Sequence, residues 1–155
     1  DISFNPEPID LHLITRECIE LINRKISQKN ITLKLNIPNR SIAFADENMV
    51  KTIVRNLLSN AIKYTPNNGE IEITTILKKD FVYCTVTDTG IGIEEQKLKL
   101  IFENFGQAID DENRAHNGLG LGLSIVNHML EMMGGEIRVE SEIGVGSTFY
   151  FTIGN

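Results

Sequence analysis

The sequence predicts a two-layer α/β sandwich, and two observations lead to this fold class. Helical and alternating apolar patterns follow one another in the order α β β α β β α α β β, so that strands come in adjacent pairs. This order lacks the strict alternation of strand and helix that is typical of a doubly wound parallel sheet. The chain has 155 residues, of which 41% are hydrophobic, and this is sufficient for one compact domain with an ordinary core.

Apolar residues at helical spacing indicate the helices. Pro8 precedes the first of them, Asp46 can cap the second, and Pro66 marks the point where the second ends. The glycine pair Gly134 and Gly135 stops the last helix. The predicted helices lie at residues 9–27, 47–65, 94–101 and 122–133.

Alternating apolar residues indicate the strands. The third and fourth strands are joined by a tight turn around Lys79 and Asp80, and the last two by a turn that contains glycine. We expect neighbouring strands to pair, with the helices covering one face of the sheet. The predicted strands are ITLKLNI at 31–37, SIAFA at 41–45, GEIEITTILKK at 69–79, FVYCTVTD at 81–88, EIRVES at 136–141 and STFYFTI at 147–153.

The net charge of −6 argues against nucleic acid as a partner. Fifteen basic residues stand against 21 acidic ones, and they form no basic stripe along the chain. Cys18 and Cys84 lack the spacing of a metal or redox motif, which favours a reducing compartment. No stretch reaches the apolar length needed to cross a bilayer, and the first residues do not resemble a signal peptide. We therefore expect a cytoplasmic domain.

The second helix carries polar residues at the edge of its apolar stripe. On a helical wheel Asn56, Asn60 and Lys63 lie together along this edge. A half-desolvated amide needs a partner, and nearby backbone is the simplest one. Amide oxygens are also suitable ligands for Mg²⁺, and a lysine one turn further on suits a phosphate group. Both interpretations are compatible with the pattern.

The strand FVYCTVTD ends in a carboxylate on its apolar face. The alternation places Val82, Cys84 and Val86 on the same face as Asp88, and a carboxylate there needs a donor. The exocyclic amine of adenine is one such donor, and the glycines that follow in DTGIGI would allow the backbone to approach a flat base. Alternatively, the aspartate caps the turn that follows it.

Three alternate glycines precede the last helix in the segment NGLGLGLS. Free backbone N–H groups at a helix N-terminus favour phosphate, although the glycines could serve only close packing. The segment is neither a Walker loop nor a dinucleotide fingerprint, because the Gly-Lys-Ser/Thr ending is missing and Leu123 stands at the third glycine position. The polar stretch from Glu103 to Asn117 before it has the character of a mobile, functional loop, which predicts a lid.

Five segments together resemble a known family. NLLSNAIKYT, DTGIGI, IFENF, GLGLGL and GSTFYF closely resemble, in their order and intervals, the N, G1, F, G2 and G3 boxes of the ATP-binding catalytic domain of sensor histidine kinases. The resemblance covers the chain from about Phe4 to its end. It implies the Bergerat ATP-binding fold shared with gyrase, Hsp90 and MutL, a mixed, mostly antiparallel sheet backed by three helices.

The resemblance also implies a domain organisation. The segment EPIDL resembles the junction between the catalytic domain and the dimerisation domain that bears the acceptor histidine. Residues 1–8 would therefore be a linker, residues 9–155 the catalytic domain, and about 103–118 its lid. None of His12, His116 and His128 has the sequence context of the acceptor histidine.

On the phosphate side, the resemblance implies ATP and Mg²⁺ as ligands. Asn60 would bind Mg²⁺ with support from Asn56, and Lys63 would contact phosphate. Leu119 stands where Thr or Ser is usual and Gln107 where Arg is frequent, so a basic contact to the γ-phosphate would come from Arg114, unless Arg114 pairs with an acidic neighbour. The residues that would wrap the phosphates are Gly118, Leu119, Gly120, Leu121 and Gly122.

On the base side, the resemblance implies that Asp88 binds the adenine amine. Tyr64 would line the nucleotide site, and Thr148 would sit behind Asp88 near the adenine. Phe102 and Phe105 would anchor the lid. The residues that would wall the base are Gly90, Gly92 and Ile93.

Asn56 bears on the reaction that the resemblance implies. Hydrolysing relatives carry a glutamate there as general base, whereas an amide takes up no proton at neutral pH. The implied activity is therefore transfer of the ATP γ-phosphoryl group to a histidine on the separate dimerisation domain, upstream of a response regulator. The catalytic domain would be monomeric in isolation. Its parent protein would be cytoplasmic or anchored in the inner membrane. The alternatives are an ATPase, a nucleotide-sensing or degenerate binding module, and a serine kinase of the anti-sigma-factor type.

Overall fold

The structure is a computed structural model that describes residues 3–101 and 119–154, and the side chains of all of these except 119–122. Helices α1, α2 and α4 are long, and α3 is a single turn. The elements are β1 Glu7–Asp10, α1 Leu11–Gln28, β2 Thr32–Asn36, β3 Ile42–Ala45, α2 Glu47–Tyr64, β4 Glu70–Leu77, β5 Phe81–Asp88, α3 Glu95–Leu98, α4 Leu119–Met132, β6 Ile137–Glu142 and β7 Gly146–Gly154.

A mixed five-stranded sheet forms one layer of the molecule. Its strand order is β2-β4-β5-β7-β6, in which β2 pairs with β4 in parallel and all other pairs are antiparallel. The register places Asp88, at the end of β5, between Ile71 of β4 and Ser147 of β7. The predicted fold class, a mostly antiparallel sheet with helices packed against it, is confirmed.

The pairing of β2 and β3 differs from the prediction. These successive strands do not pair with each other, because β3 pairs antiparallel with β1 in a separate two-stranded sheet. Strand β1 was not predicted, and the first helix begins at Leu11 instead of Ile9. Ile9 pairs with Ala43, and the side chain of Asp10 caps the helix by accepting from the backbone N–H of His12. The last helix begins at Leu119, earlier than the predicted residue 122.

The core lies between the sheet and the long helices. Val82, Cys84 and Val86 of β5 point into it, as their alternation predicts, and Ile53 and Leu57 of α2 are fully buried against them. Burial raises the pKa of the Cys84 thiol to about 12, so this cysteine is an inert core residue. Within residues 3–101 and 119–154, no helix has the length and apolar character required to cross a membrane.

Helix α2 is fixed at its N-terminus by one carboxylate. Oδ1 of Asp46 accepts from the backbone N–H of Met49 at 3.0 Å, which confirms the predicted cap. Oδ2 of the same side chain accepts from the backbone N–H of Asn5 at 2.7 Å. The buried Asp46 therefore joins the N-terminal segment of the chain to the start of α2.

We expect Asp46→Ala to lower the free energy of unfolding by about 1–2 kcal/mol, because it removes a helix cap and leaves the N–H of Asn5 without its acceptor. Urea unfolding followed by circular dichroism measures this change. Glu20→Ala is the matched control, since Glu20 is an exposed carboxylate in the middle of α1. Equal stability of the two variants would contradict the double role of Asp46.

Candidate functional site

A cavity of about 460 Å³ opens between the end of α2, the end of β5 and the turn that joins β6 to β7. Its volume is in the range of small-molecule sites. Most of its wall is apolar, and its polar lining includes two carboxylates, one carboxamide, one lysine and two hydroxyl groups. The lining residues are Asn60, Ala61, Tyr64, Asp88, Ile91, Gly92, Ile93, Glu94, Lys97, Ile143, Ser147 and Phe149.

Asp88 is the buried carboxylate of this cavity, with 7% of its surface exposed. Oδ1 accepts from the backbone N–H of Gly90 at 2.8 Å and from that of Ser147 at 3.3 Å. No residue in the described part of the chain donates to Oδ2. The two interpretations of Asp88 are therefore compatible, because one oxygen caps the turn and the other remains available to a donor in the cavity.

The pKa of Asp88 is raised by its surroundings. Burial disfavours the charged form and is the largest influence, while the two backbone hydrogen bonds from Gly90 and Ser147 act in the opposite direction. A ligand that donates to Oδ2 would favour the ionised form further. The carboxylate is thus suited to a neutral donor such as an amine of a heterocyclic base.

The glycines after β5 serve contacts within the protein. A Cβ on Gly90 would lie 2.6 Å from the carbonyl oxygen of Tyr64, at the end of α2. Gly92 has a φ of +82°, and a Cβ there would lie 2.3 Å from the carbonyl oxygen of Glu142. Only glycine therefore lets this loop pack against both α2 and the turn between β6 and β7. Gly92 also lines the cavity, whereas Gly90 lies beneath it.

Hydrogen bonds join the loop after β5 to the hairpin of β6 and β7. The backbone N–H of Ile93 donates to Oγ of Ser141 at 2.8 Å, and Ser141 and Ser147 share a hydroxyl hydrogen bond of 2.7 Å. The carbonyl of Ile91 accepts from the N–H of Gly144 at 2.9 Å. The cavity wall formed by Ile93 is consequently held in place by backbone and serine contacts.

Tyr64 lines the cavity near the end of α2. Its hydroxyl is buried, and within the described residues it has no hydrogen-bond partner. A buried hydroxyl without a partner is unfavourable, so a polar ligand atom or a water molecule is expected to satisfy it. The ammonium group of Lys63 lies 5.4 Å from the centre of the Tyr64 ring.

The two asparagines of α2 have different surroundings. The amide nitrogen of Asn56 donates to the carbonyl of Thr52 at 2.8 Å, which agrees with the structural interpretation for this group. The half-buried Asn60 lines the cavity, and its side chain has no hydrogen-bond partner among the described residues. Lys63 is exposed and lies with Asn60 in an adjoining cavity of about 300 Å³.

These amides fit a weakly held Mg²⁺. The described part of the chain contains no cluster of three or more His, Cys, Asp or Glu residues that could hold a metal by itself. Mg²⁺ commonly takes one or two protein oxygens and completes its shell with water and substrate phosphate. The amide of Asn60 is suited to such a role. The amide oxygen of Asn56 does not take part in the bond to Thr52, and no described residue donates to it.

Thr148 lies on the other face of the sheet from the cavity. Its hydroxyl is 3.1 Å from that of Thr87, and alternation along β7 directs it away from Asp88. The residue of β7 that lies beside Asp88 and lines the cavity is therefore Ser147, and not the predicted Thr148. The alternation of the buried Phe149, Phe151 and Ile153 with Ser147 was the signal in the sequence.

Other cavity residues were not predicted. Phe149 shares the alternation of β7, so the sequence contained a signal for it. Ala61 follows Asn60 on the apolar arc of α2. For Ile91, Glu94, Lys97 and Ile143 we find no such signal, because they meet only when the loop after β5 approaches the β6–β7 turn.

Several predicted residues cannot be placed relative to the cavity. Phe102, Phe105, Gln107, Arg114, His116 and Gly118 lie outside the described residues, as does the predicted lid. Leu119, Gly120, Leu121 and Gly122 form the first turn of α4, and of these four residues the structure describes the helix alone.

Comparisons with known proteins connect this site to a family. A protein-family model described as histidine kinase-, DNA gyrase B-, and HSP90-like ATPase matches residues 45–154. The chain is 41% identical over 148 residues to the autoinducer 2 sensor kinase/phosphatase LuxQ of Vibrio vulnificus, an alignment that covers 90% of this chain and 17% of LuxQ. The chain thus spans only a small part of that relative.

Solved structures show the same fold. The catalytic domain of the histidine kinase ThkA is 30% identical, with a TM-score of 0.81 and coverage of 99% of this chain and 96% of that one. ThkA in complex with the response regulator protein TrrA is 29% identical, with a TM-score of 0.78 and coverage of 97% and 42%. Full-length ShkA in complex with AMPPNP is 30% identical, with a TM-score of 0.79 and coverage of 98% and 31%.

We expect the carboxyl group of Asp88 to take up its proton at a higher pH in the folded protein than in the urea-unfolded chain, because burial raises its pKa. Between these two pKa values the native state binds more protons, so this group alone makes the free energy of unfolding fall as the pH rises. Carbon-13 NMR of the side-chain carboxyl, followed against pH with and without urea, measures both values. A folded midpoint at or below the unfolded one would contradict the dominance of burial.

Proposed function

Since the chain belongs to the histidine kinase-, DNA gyrase B- and HSP90-like ATPase family, and is an ATP-binding catalytic domain of the sensor histidine kinase type, we propose that it transfers the γ-phosphoryl group of ATP to a histidine on a separate dimerisation domain. The observation that carries the proposal is the buried Asp88, whose Oδ2 faces a largely apolar cavity without a donor among the described residues. The order of the two cavities agrees with the proposal. Asn60 lines both the cavity of Asp88 and the adjoining one that contains Lys63, so a nucleotide with its base at Asp88 could extend its phosphates towards Lys63.

The base end of the site would read adenine through one hydrogen bond and apolar contact. The amine of adenine donates to Oδ2 of Asp88, while the N–H groups of Gly90 and Ser147 hold Oδ1 and so fix the plane of the carboxylate. Ile93 and Phe149 supply apolar wall. Guanine presents a carbonyl oxygen where adenine has the amine, and this oxygen would repel the carboxylate.

The phosphate end would act by positioning and charge. Lys63 contributes a positive charge against the phosphates, and Asn60, supported by Asn56, would hold Mg²⁺ by its amide oxygen. When bound, Mg²⁺ neutralises part of the phosphate charge during transfer. The apolar wall excludes water from the base, and the wall fixed by Ser141 and Ser147 keeps the nucleotide in one orientation.

Asn56 supports phosphoryl transfer over hydrolysis. An amide cannot take a proton from water at neutral pH, and its nitrogen is already bonded to the carbonyl of Thr52. A water molecule next to the γ-phosphate would therefore lack a general base at this position. An external nucleophile such as an imidazole needs no such base when it is unprotonated.

The proposal extends to partners and location. Residues 1–8 would connect the catalytic domain, 9–155, to the dimerisation domain, and their last two residues already pair in β1. A response regulator would be the next acceptor, as the complex of ThkA with TrrA suggests for a relative. The use of ATP and the two unpaired, buried cysteines favour the cytoplasm.

We expect Asp88→Asn to weaken ATP binding at least tenfold, or by roughly 1.4 kcal/mol. The N–H groups of Gly90 and Ser147 require an oxygen at the Oδ1 position, so the new amide nitrogen would face the adenine amine, donor against donor. Calorimetric titration with ATP measures the change, and Asp80→Asn in the exposed β4–β5 turn is the matched control.

A phosphate-release assay on the unaltered chain belongs to the same experiment and should detect negligible turnover. Retained affinity in Asp88→Asn would contradict the assignment of the base end. Steady release of phosphate would instead identify the chain as an ATPase.

We expect Asn60→Ala to remove most of the gain in ATP affinity that Mg²⁺ gives, because the variant lacks the amide oxygen proposed as its ligand. Titrations of ATP with Mg²⁺ and with EDTA measure this gain, and adenosine binding should remain unchanged. Asn23→Ala, at an exposed position of α1, is the control. An undiminished effect of Mg²⁺ in Asn60→Ala would exclude Asn60 as the ligand.

A further inference from the structure

The cavity next to the nucleotide site is rich in lysine. It lies between the ends of the parallel helices α1 and α2 and contains Lys25, Lys29 and Lys63. Asn60 lines this cavity and the nucleotide cavity alike, so the two adjoin at the proposed phosphate end. Lys63 was predicted from the sequence as a phosphate contact, whereas nothing in the sequence drew attention to Lys29.

Lys29 binds the C-terminus of α2 with its side chain. Its ammonium group donates to the carbonyl oxygens of Ile62 at 2.6 Å, Thr65 at 3.0 Å and Lys63 at 3.3 Å. The carbonyls at the end of a helix have no partner within the helix and form the negative end of its dipole. One cation therefore satisfies three acceptors and neutralises this end of α2.

The position of Lys29 is fixed by its own backbone. It follows α1 directly, and its carbonyl accepts from the N–H of Asn68 at 2.8 Å. The side chains of Asn30 and Asn68 are joined by a hydrogen bond of 2.7 Å, and both residues have positive φ angles, of 52° and 70°. The turn after α1 and the turn after α2 are thus locked together, which holds the ammonium group at the helix end.

The helix end that Lys29 binds carries the residues proposed to contact Mg²⁺ and the phosphates. Asn60 and Lys63 lie in the last turns of α2, and Tyr64 is its last residue. The carbonyl of Tyr64 accepts from the N–H of Ile91 at 3.2 Å, which connects the end of α2 to the loop after β5, where the adenine base is proposed to bind. Without a cation, these carbonyl oxygens would present their partial negative charge close to a polyphosphate.

We infer that Lys29 is a positioning residue for the polyphosphate of the nucleotide: it holds the last turn of α2, and with it Asn60 and Lys63, and it cancels the negative helix end beside the phosphates. The inference rests on the proposed nucleotide site and deepens it. An electrostatic role of this kind depends on ligand charge, which distinguishes it from a contribution to stability alone.

The test compares the affinities of adenosine, AMP, ADP and ATP for the unaltered chain and for Lys29→Met, by calorimetry at constant ionic strength and Mg²⁺ concentration. We expect adenosine to bind both proteins within about twofold, and the loss in Lys29→Met to grow with each phosphate to roughly tenfold for ATP. The thermal unfolding midpoint, measured in parallel, verifies that each variant is folded at the temperature of the titration.

Two further variants make the result decisive. Lys25→Met removes a lysine of the same cavity that makes none of the three carbonyl contacts, and it should retain the affinities of the unaltered chain. Lys29→Gln keeps a donor without the charge, so we expect an intermediate loss that still grows with the number of phosphates. It also serves as the test variant if Lys29→Met does not fold.

Three results would overturn the inference: an equal loss for all four ligands, no loss for any of them, or the same loss in Lys25→Met as in Lys29→Met. The first would assign Lys29 to stability alone, and the third would assign the effect to the net charge of the cavity. If the unaltered chain binds no nucleotide, the proposed function fails as well, whereas normal binding with an unaltered series in Lys29→Met refutes only the role of Lys29.

Discussion

Helix α2 is held at its N-terminus by the side chain of Asp46, its own cap residue, and at its C-terminus by Lys29 from the end of α1, and the arrangement of the site depends on this constraint. The carboxylate of Asp46 accepts from the backbone N–H of Met49 in the first turn and from that of Asn5. Lys29 binds the C-terminal carbonyls. Charges of these signs at these ends are favourable for the helix dipole. They stabilise the two ends of the helix that carries Asn60 and Lys63, so the position of these two residues depends in part on contacts made by Asp46 and Lys29.

In the wall formed by β5 and β7, the two oxygens of the Asp88 carboxylate differ in their surroundings. Oδ1 of Asp88 is occupied by two backbone N–H groups, which come from the loop after β5 and from β7. These bonds orient the side chain and partly compensate for its burial, while Oδ2 has no donor among residues 3–101 and 119–154 and is available to a ligand. A buried carboxylate with both oxygens satisfied would be a structural residue only, and one with neither satisfied would be too costly to keep ionised.

Much of the site was predictable, because its chemistry lies on regular elements. The period of α2 predicted the edge on which Asn56, Asn60 and Lys63 lie, and the alternation of β5 predicted a buried Asp88. The order of the motifs predicted the family before any geometry. The assignment of Thr148 instead of Ser147 was an error of one residue, which in a strand reverses the face. The glycines after β5 permit close contacts with the backbone of Tyr64 and Glu142. Of the two, Gly92 lines the cavity, and their role in walling a base stays a prediction.

Features with a local cause could be predicted from the sequence alone. They are the helices and strands with a clear period, the cap at Asp46, and the motifs that identify the family. Which distant segments come into contact became evident from the folded chain. Strand β3 pairs with the unpredicted β1 and not with β2, and Lys29 reaches the end of α2. Nearly every residue offers the same backbone N–H and C=O groups to a partner strand, and a long lysine side chain can reach many acceptors. Neither leaves a periodic signal in the sequence, so both are settled by the packing of the helices on the sheet.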